Sequence, residues 1–165
     1  MEFSGFFFTS NEALFSITDT EGKRSPGWLK VGQSFEGYTV VSFDREHEVI
    51  SLKQGDRTLK VPLRTSKVKN GKATIQGTIT LLNEQVEGVQ ASLFLGEEAV
   101  FPLKDGVTLR ITAKPLPDGS ILYRSRFDVR EKDGTEKKIS APGMVALPGQ
   151  SFSMQSGDYG YSFKP

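Results

Sequence analysis

Hydrophobic and polar residues alternate along most of this chain, and short glycine-containing turns separate the alternating runs. In residues 74–82, Ile75, Ile79 and Leu81 share one parity, while threonines and a glutamine occupy the other. Successive side chains of a β-strand point to opposite faces, so this period of two predicts a half-buried strand. Similar runs recur through the sequence at the spacing typical of small barrels and sandwiches.

The first half of the chain predicts a compact all-β module. Its alternating runs are punctuated by Gly32, Gly37 and Gly55. The runs that we interpret as its main strands are residues 3–9, 13–19, 38–44, 48–53 and 57–62. We therefore predict an all-β protein without long helices, in which a small N-terminal β-barrel occupies residues 1–66.

The second half predicts a β-sandwich-like module in residues 73–165. Its longest runs are separated by Asp118-Gly119 and Asp133-Gly134, which are dipeptides that favour tight hairpin turns. Between the two modules, the polar residues 65–73 include Asn70-Gly71. This stretch fits either a linker or a hairpin turn, and a linker would be the first site of limited proteolysis.

The same alternation predicts which residues form the two cores. Trp28, the only tryptophan, is expected to anchor the first core rather than to stack on a ligand. The predicted first core contains Leu14, Phe15, Trp28, Leu29, Val40, Leu52, Leu59 and Leu63. The predicted second core contains Ile79, Leu81, Leu109, Ile111, Ile121, Phe127, Val129, Ile139, Val145 and Phe152.

Charge and cysteine content narrow the possible functions. The chain carries 21 basic and 20 acidic residues, and neither half is strongly basic, so nucleic-acid binding is not expected. Without cysteine, the chain has no disulfides, thiolate metal sites or cysteine nucleophile. No apolar run is long enough to span a bilayer.

No catalytic, cofactor or metal site emerges from the motifs. His47, the only histidine, lies in a predicted turn between Asp44 and Glu48, where we expect a solvated side chain. One histidine without cysteine does not supply a transition-metal site, and the nearby acids lack the spacing of a calcium loop. A hydrolase is therefore disfavoured, because few residues could activate a nucleophile.

A stripe of basic residues follows two successive strands of the second half. Arg124, Arg126 and Arg130 share one parity with Asp128, and Arg110 and Lys114 lie on the preceding strand. Two interpretations remain open. The stripe is either the solvent face of a sandwich, opposite Leu122, Phe127 and Val129, or a groove for an acidic partner.

Two segments resemble bacterial secretion proteins. Residues 28–40 with 48–63 carry Val31-Gly32, Gly37, Val40, Ile50, Leu52, Gly55 and Leu59, and so resemble the homology-region barrel of the type II secretion clamp protein and a pilus-assembly lipoprotein module. Residues 107–121 and 139–157 resemble secretin elements through Pro115, Asp118-Gly119, Ala141-Pro142 and Gly149-Gln150. The order of these elements is reversed relative to secretins and the membrane-inserting segments are absent, so channel formation is not implied.

The resemblance implies a non-enzymatic periplasmic or cell-envelope module that binds protein, associated with a secretion or pilus-type assembly. The N-terminus lacks signal-peptide features, so whether a signal or anchor precedes Met1 stays open. Edge-strand pairing, with a protein partner or a second copy, is the expected binding mode. We predict that Phe6, Phe7 and Phe8 form the partner site, because one strand face cannot bury all three. The alternative is a small-ligand or glycan-binding sandwich that uses Phe6, Phe8, Tyr159 and Tyr161.

Overall fold

A computed structural model describes residues 1–19, 21, 24–64 and 71–165. In these residues the chain is all-β, with sixteen strands and no helix, as the sequence predicts. No helix in the described part is long and apolar enough to cross a membrane. Of the predicted linker or turn at residues 65–73, residues 65–70 lie outside the described residues, and Lys72 and Ala73 begin a strand.

Two compact units divide the chain, Met1–Thr65 and Ser66–Pro165. The predicted modules at residues 1–66 and 73–165 stay a prediction, and limited proteolysis between residues 65 and 72 tests whether the two parts are separate domains.

The first unit begins with three antiparallel strands. Its strands are β1 (Glu2–Phe8), β2 (Ala13–Thr18) and β3 (Trp28–Leu29), in the order β1-β2-β3. The register shifts between Phe3 and Gly5, which leaves Ser4 as an extra residue in β1. Ser4 Oγ donates to the Ser16 carbonyl at 3.0 Å, so the irregular residue remains tied to β2.

A four-stranded antiparallel sheet completes the first unit. It comprises β4 (Ser34–Phe35), β5 (Tyr38–Asp44), β6 (Val49–Gln54) and β7 (Arg57–Pro62), paired in chain order. The prediction of a closed barrel is wrong, because these strands form an open sheet within the described residues. Aromatic side chains of β1 and β2 pack on β5 instead, so the unit is layered rather than closed.

Five phenylalanines join the two layers of the first unit. Phe43 of β5 lies 5.3–5.6 Å, between ring centroids, from the four rings contributed by β1 and β2. Those rings belong to Phe3, Phe6, Phe8 and Phe15. Tilted and edge-on ring pairs at such separations stabilise a core beyond their buried area.

The second unit consists of two antiparallel sheets. One has the order β15-β16-β8-β9, and the other has the order β10-β11-β12-β13 with β14 also paired to β12. The strands are β8 (Lys72–Leu81), β9 (Glu84–Phe94), β10 (Glu98–Pro102), β11 (Val107–Pro115), β12 (Ile121–Arg130), β13 (Glu136–Ser140), β14 (Met144–Ala146), β15 (Phe152–Ser156) and β16 (Tyr159–Lys164).

Aromatic side chains also connect the sheets of the second unit. Tyr123 of β12 stacks on Phe152 of β15 with ring centroids 3.8 Å apart. The Tyr161 hydroxyl of β16 hydrogen-bonds Ser125 Oγ of β12 at 2.7 Å, inside the core. Close approach of β8 and β16 requires Gly77, since a Cβ there would collide with the Ser162 carbonyl. The second module is thus a sandwich, as predicted.

Most of the predicted core residues are buried, but two are exposed. Leu59 is 42% exposed and Val145 is 59% exposed. Leu59 lies on β7, the outer strand of its sheet. Val145 of β14 pairs with Leu122, which belongs to the side of β12 that faces away from the core. Trp28 and Ile139 are half-buried. The predicted core residues that are buried are Leu14, Phe15, Leu29, Val40, Leu52, Leu63, Ile79, Leu81, Leu109, Ile111, Ile121, Phe127, Val129 and Phe152.

We expect Phe15→Ala to lower the free energy of unfolding by about 3–5 kcal/mol, because it removes a buried ring from the phenylalanine layer. Leu59→Ala is the matched control in the same unit and should cost less than about 1 kcal/mol, since its side chain is already partly solvated. Urea denaturation measures both. Equal losses for the two variants would contradict the proposed core.

Two tyrosine variants should behave oppositely. Tyr161→Phe leaves Ser125 Oγ buried without its partner and should cost about 1–3 kcal/mol. The Tyr123 hydroxyl is buried and has no hydrogen-bond partner among the described residues, so Tyr123→Phe should be neutral or stabilising. Thermal unfolding of both variants measures the contrast, and a larger loss for Tyr123→Phe would refute it.

Candidate functional site

The three phenylalanines predicted as a partner surface are buried. Phe6, Phe7 and Phe8 are 2%, 1% and 3% exposed. Phe6 and Phe8 face the phenylalanine layer, where their rings stack with centroids 5.1 Å apart. The prediction that one of these rings points outward is therefore wrong in this structure.

The beginning of β1 is also not a free edge. Phe3 pairs with Ile17 of β2 on one side and forms a parallel bridge with Leu63 on the other. The Arg64 amide donates to the Phe3 carbonyl at 2.8 Å. Strand addition at this position would have to displace existing backbone hydrogen bonds.

The aromatic residues of the alternative ligand site do not form an exposed row. Phe6, Phe8 and Tyr161 are at most 3% exposed, and Tyr159 is half-buried. Burial raises the pKa of Tyr161, while its hydrogen bond to Ser125 lowers it to a lesser extent. Rings that fill a core cannot stack on a sugar. These aromatic residues therefore do not support the glycan-binding alternative.

His47 lies in the turn between β5 and β6, as predicted, and its side chain is exposed. Asp44 Oδ1 accepts the amides of Glu46 and His47, and Asp44 Oδ2 lies 2.9 Å from His47 Nδ1. The backbone hydrogen bond from His47 is the main reason why the pKa of Asp44 is lowered. No group of three or more acidic, histidine or cysteine residues in the described chain could hold a metal ion.

The basic stripe predicted from the sequence forms one face of the β10–β14 sheet. Arg110 of β11 pairs directly with Arg126 of β12, and Thr112 pairs with Arg124. Lys138 of β13 pairs with Asp128. Residues of this parity are half-buried or exposed, whereas their neighbours along β11 and β12 are buried. We call this surface the arginine face.

An ion-pair network occupies the middle of the arginine face. Asp128 Oδ2 accepts a hydrogen bond from Arg110 Nε at 2.7 Å, and Asp128 Oδ1 lies 2.9 Å from Arg126 Nε. Arg110 Nη1 also donates to Glu98 Oε2 of β10 at 2.8 Å. Like charges directly opposite each other destabilise a sheet. The negative charge of Asp128 offsets the repulsion between Arg110 and Arg126.

The surrounding charge changes the pKa of the Asp128 carboxyl group. Burial alone would raise its pKa, but the hydrogen bond from Arg110 and the adjacent guanidinium group of Arg126 lower it overall. The hydrogen bond to Asp128 is in turn the main cause that raises the pKa of Arg110. Asp128 is thus held as a carboxylate, and the central ion pairs persist at neutral pH.

Two grooves lie on either side of this network. The first, of about 540 Å³, is lined by Arg130 and Lys138 together with Glu136 and Asp128. The second, of about 450 Å³, is lined by Arg124, Thr112 and Ser140 together with Glu98. Both also include Arg110 and Arg126. The linings together contain five cationic side chains and three acidic ones.

Three of these cations, Arg124, Arg130 and Lys138, have no ion pair within the described residues. They are the groups available to an incoming anion. Leu122 of β12 pairs with the exposed Val145 of β14. Leu122 therefore shares the arginine face, and its predicted position on the opposite face is wrong. All even-numbered residues of β12 point outward, so the parity of residue 122 was enough to predict that Leu122 lies on the arginine face.

The linings of both grooves contain no histidine and no cysteine. The hydroxyl groups of the linings are on Thr108, Thr112, Ser125 and Ser140, and none of them hydrogen-bonds a carboxylate among the described residues. Guanidinium groups instead recognise carboxylates and phosphates through paired hydrogen bonds. Such groups line both grooves of the arginine face.

Comparison with protein-family models, with curated proteins and with solved structures finds no match to this chain. The arginine face must therefore be interpreted from its own chemistry.

Asp128→Asn should lower the free energy of unfolding by about 1–2 kcal/mol at neutral pH, because Arg110 and Arg126 lose their shared counter-charge. A carboxyl whose folded pKa is lowered stabilises the fold above its unfolded pKa of about 4, and this stabilisation disappears as the pH falls through the folded pKa.

The difference between wild type and Asp128→Asn should therefore disappear on acidification to about pH 2, as measured by urea denaturation across pH. Asp56→Asn, an exposed substitution in a turn of the first unit, is the control and should change stability by less than about 0.5 kcal/mol. A difference that is independent of pH would show that Asp128 acts by packing alone.

Proposed function

We propose that this chain is a non-enzymatic protein-interaction module of the bacterial cell envelope, and that its arginine face binds an acidic segment of a partner protein. The observation that carries the proposal is the set of three cations in the two grooves that form no ion pair with any described residue. The envelope location and the association with a secretion or pilus-type assembly rest on the resemblance of residues 28–63.

The dimensions of the arginine face favour an extended segment. Arg124 and Arg130 are six positions apart on β12, which corresponds to about 20 Å along a strand. A single small anion would contact one groove only. An extended peptide with acidic side chains toward each end would reach the cations of both grooves and cross the network between them.

Binding on the face of this sheet is favoured over pairing with its edges. Outer strand β13 places Lys137 and Lys138 in exposed positions, and charged side chains on an outer strand discourage pairing with another chain. On the other side, outer strand β10 ends at Pro102, which cannot donate a backbone hydrogen bond. Edge pairing of this sheet thus has weaker support than recognition by the side chains of its face.

The proposal is tested with a labelled oligoglutamate peptide of about eight residues, long enough for the span of the arginine face. Fluorescence anisotropy should detect binding at low salt that weakens at about 150 mM salt, because exposed charge pairs are screened. Arg124→Glu should weaken binding by about tenfold or more, since it places a negative charge in the second groove.

Arg57→Glu makes the same change of charge on an exposed strand of the first unit and serves as the matched control. It should leave the affinity nearly unchanged. Equal losses in both variants would show that only net charge matters, and absence of binding by the wild type would refute an acidic partner. Concentration-dependent self-association that Arg124→Glu does not alter would favour edge pairing instead.

A further inference from the structure

We infer that the first unit contains a separate binding site for a small oxyanion, phosphate or carboxylate, on the outer face of its β4–β7 sheet. This site goes beyond the proposed function and shares no residue with the arginine face. It is a groove of about 660 Å³ next to the β5–β6 turn. Its lining consists of Ser42, Phe43, Asp44, His47, Val49, Ser51 and Lys60.

The register of three strands aligns the hydrogen-bond donors of this groove. Ser42 of β5 pairs with Ser51 of β6, and Ser51 pairs with Lys60 of β7. Directly opposed residues point to the same face of a sheet. Two hydroxyl groups and one ammonium group thus form a continuous row across the groove, which we call the Ser-Ser-Lys row.

A bulge in β5 places Ser42 in this row. The register shifts between Val40 and Ser42, so Val41 is the extra residue and is 39% exposed. Val40 is fully buried, and without the bulge Ser42 would share its inward direction. The shift turns Ser42 to the outer face and turns Phe43 toward the phenylalanine layer.

The polar groups of the Ser-Ser-Lys row are not used by the fold. Ser42, Ser51 and Lys60 form no side-chain hydrogen bond or ion pair within the described residues. Two hydroxyls beside an ammonium can donate several hydrogen bonds to one anionic group, and such charge-assisted bonds are the stronger kind. The row therefore offers two hydroxyl groups and one ammonium group to an oxyanion.

The one acidic side chain of the groove is already occupied. Asp44 accepts two backbone amides and lies against His47 Nδ1, so its charge is compensated by donors of its own turn. Val49 supplies an apolar portion of the lining. An oxyanion is expected to contact the Ser-Ser-Lys row, away from the Asp44 carboxylate.

The experiment is an NMR titration of the full chain with inorganic phosphate and, separately, with acetate. Saturable shifts of the Ser42, Ser51 and Lys60 amides at about millimolar ligand are expected with at least one of the two. Saturation with phosphate alone would identify a phosphate site, and saturation with acetate alone would identify a carboxylate site.

Lys60→Met should weaken that binding by about tenfold, because it removes the only ammonium group of the groove. Lys53→Met is the matched control, since Lys53 is an exposed lysine on the neighbouring strand β6 that does not line the groove. Ser51→Ala provides a second test at the centre of the row and should also weaken binding.

Equal affinities of Lys60→Met and wild type, or no saturable shift with either anion, would overturn the inference. Arg124→Glu should leave the titration unchanged, and Lys60→Met should leave oligoglutamate binding unchanged. The failure of this site is therefore distinguishable from the failure of the proposed function.

Discussion

The alternation of β12 is the constraint on which the second unit depends. Its odd-numbered residues Tyr123, Ser125 and Phe127 enter the core, where they contact side chains of β15 and β16. Its even-numbered residues Arg124 and Arg126 are thereby fixed on the opposite face. A slip of one position would bury arginines and expose aromatic rings, so the core also determines where the candidate site lies.

Strand identity and most of the buried positions could be predicted because a period of two is a local property of the sequence. The same reasoning predicted the shared face of Arg124, Arg126 and Arg130. It failed where a bulge breaks the alternation, and where packing against residues distant in sequence determines whether a side chain is buried. The bulge at Val41 reverses the faces of Ser42 and Phe43, and neither residue was predicted in its role. Whether a side chain at an outer strand is covered, as for Leu59, depends on elements distant in sequence.

The misassigned phenylalanines illustrate a second limit. Three consecutive aromatic residues must place rings on both faces of β1, and alternation then suggests that one face is exposed. In this structure both parities are buried. Phe43 explains part of the discrepancy, because it packs against Phe6 and Phe8 from a strand about thirty-five positions away. No local pattern contains that contact.

Charge compensation at the centre of the arginine face restricts what can bind there. Asp128 and Glu98 already engage Arg110, and Arg126 is paired with Asp128. An acidic ligand that displaced these carboxylates would leave them without partners at a partly buried position, which costs free energy. The cations that remain, Arg124 on one side and Arg130 with Lys138 on the other, lie at the two ends of the network. A ligand with two separated acidic groups therefore fits this surface better than one whose charge is concentrated at its centre.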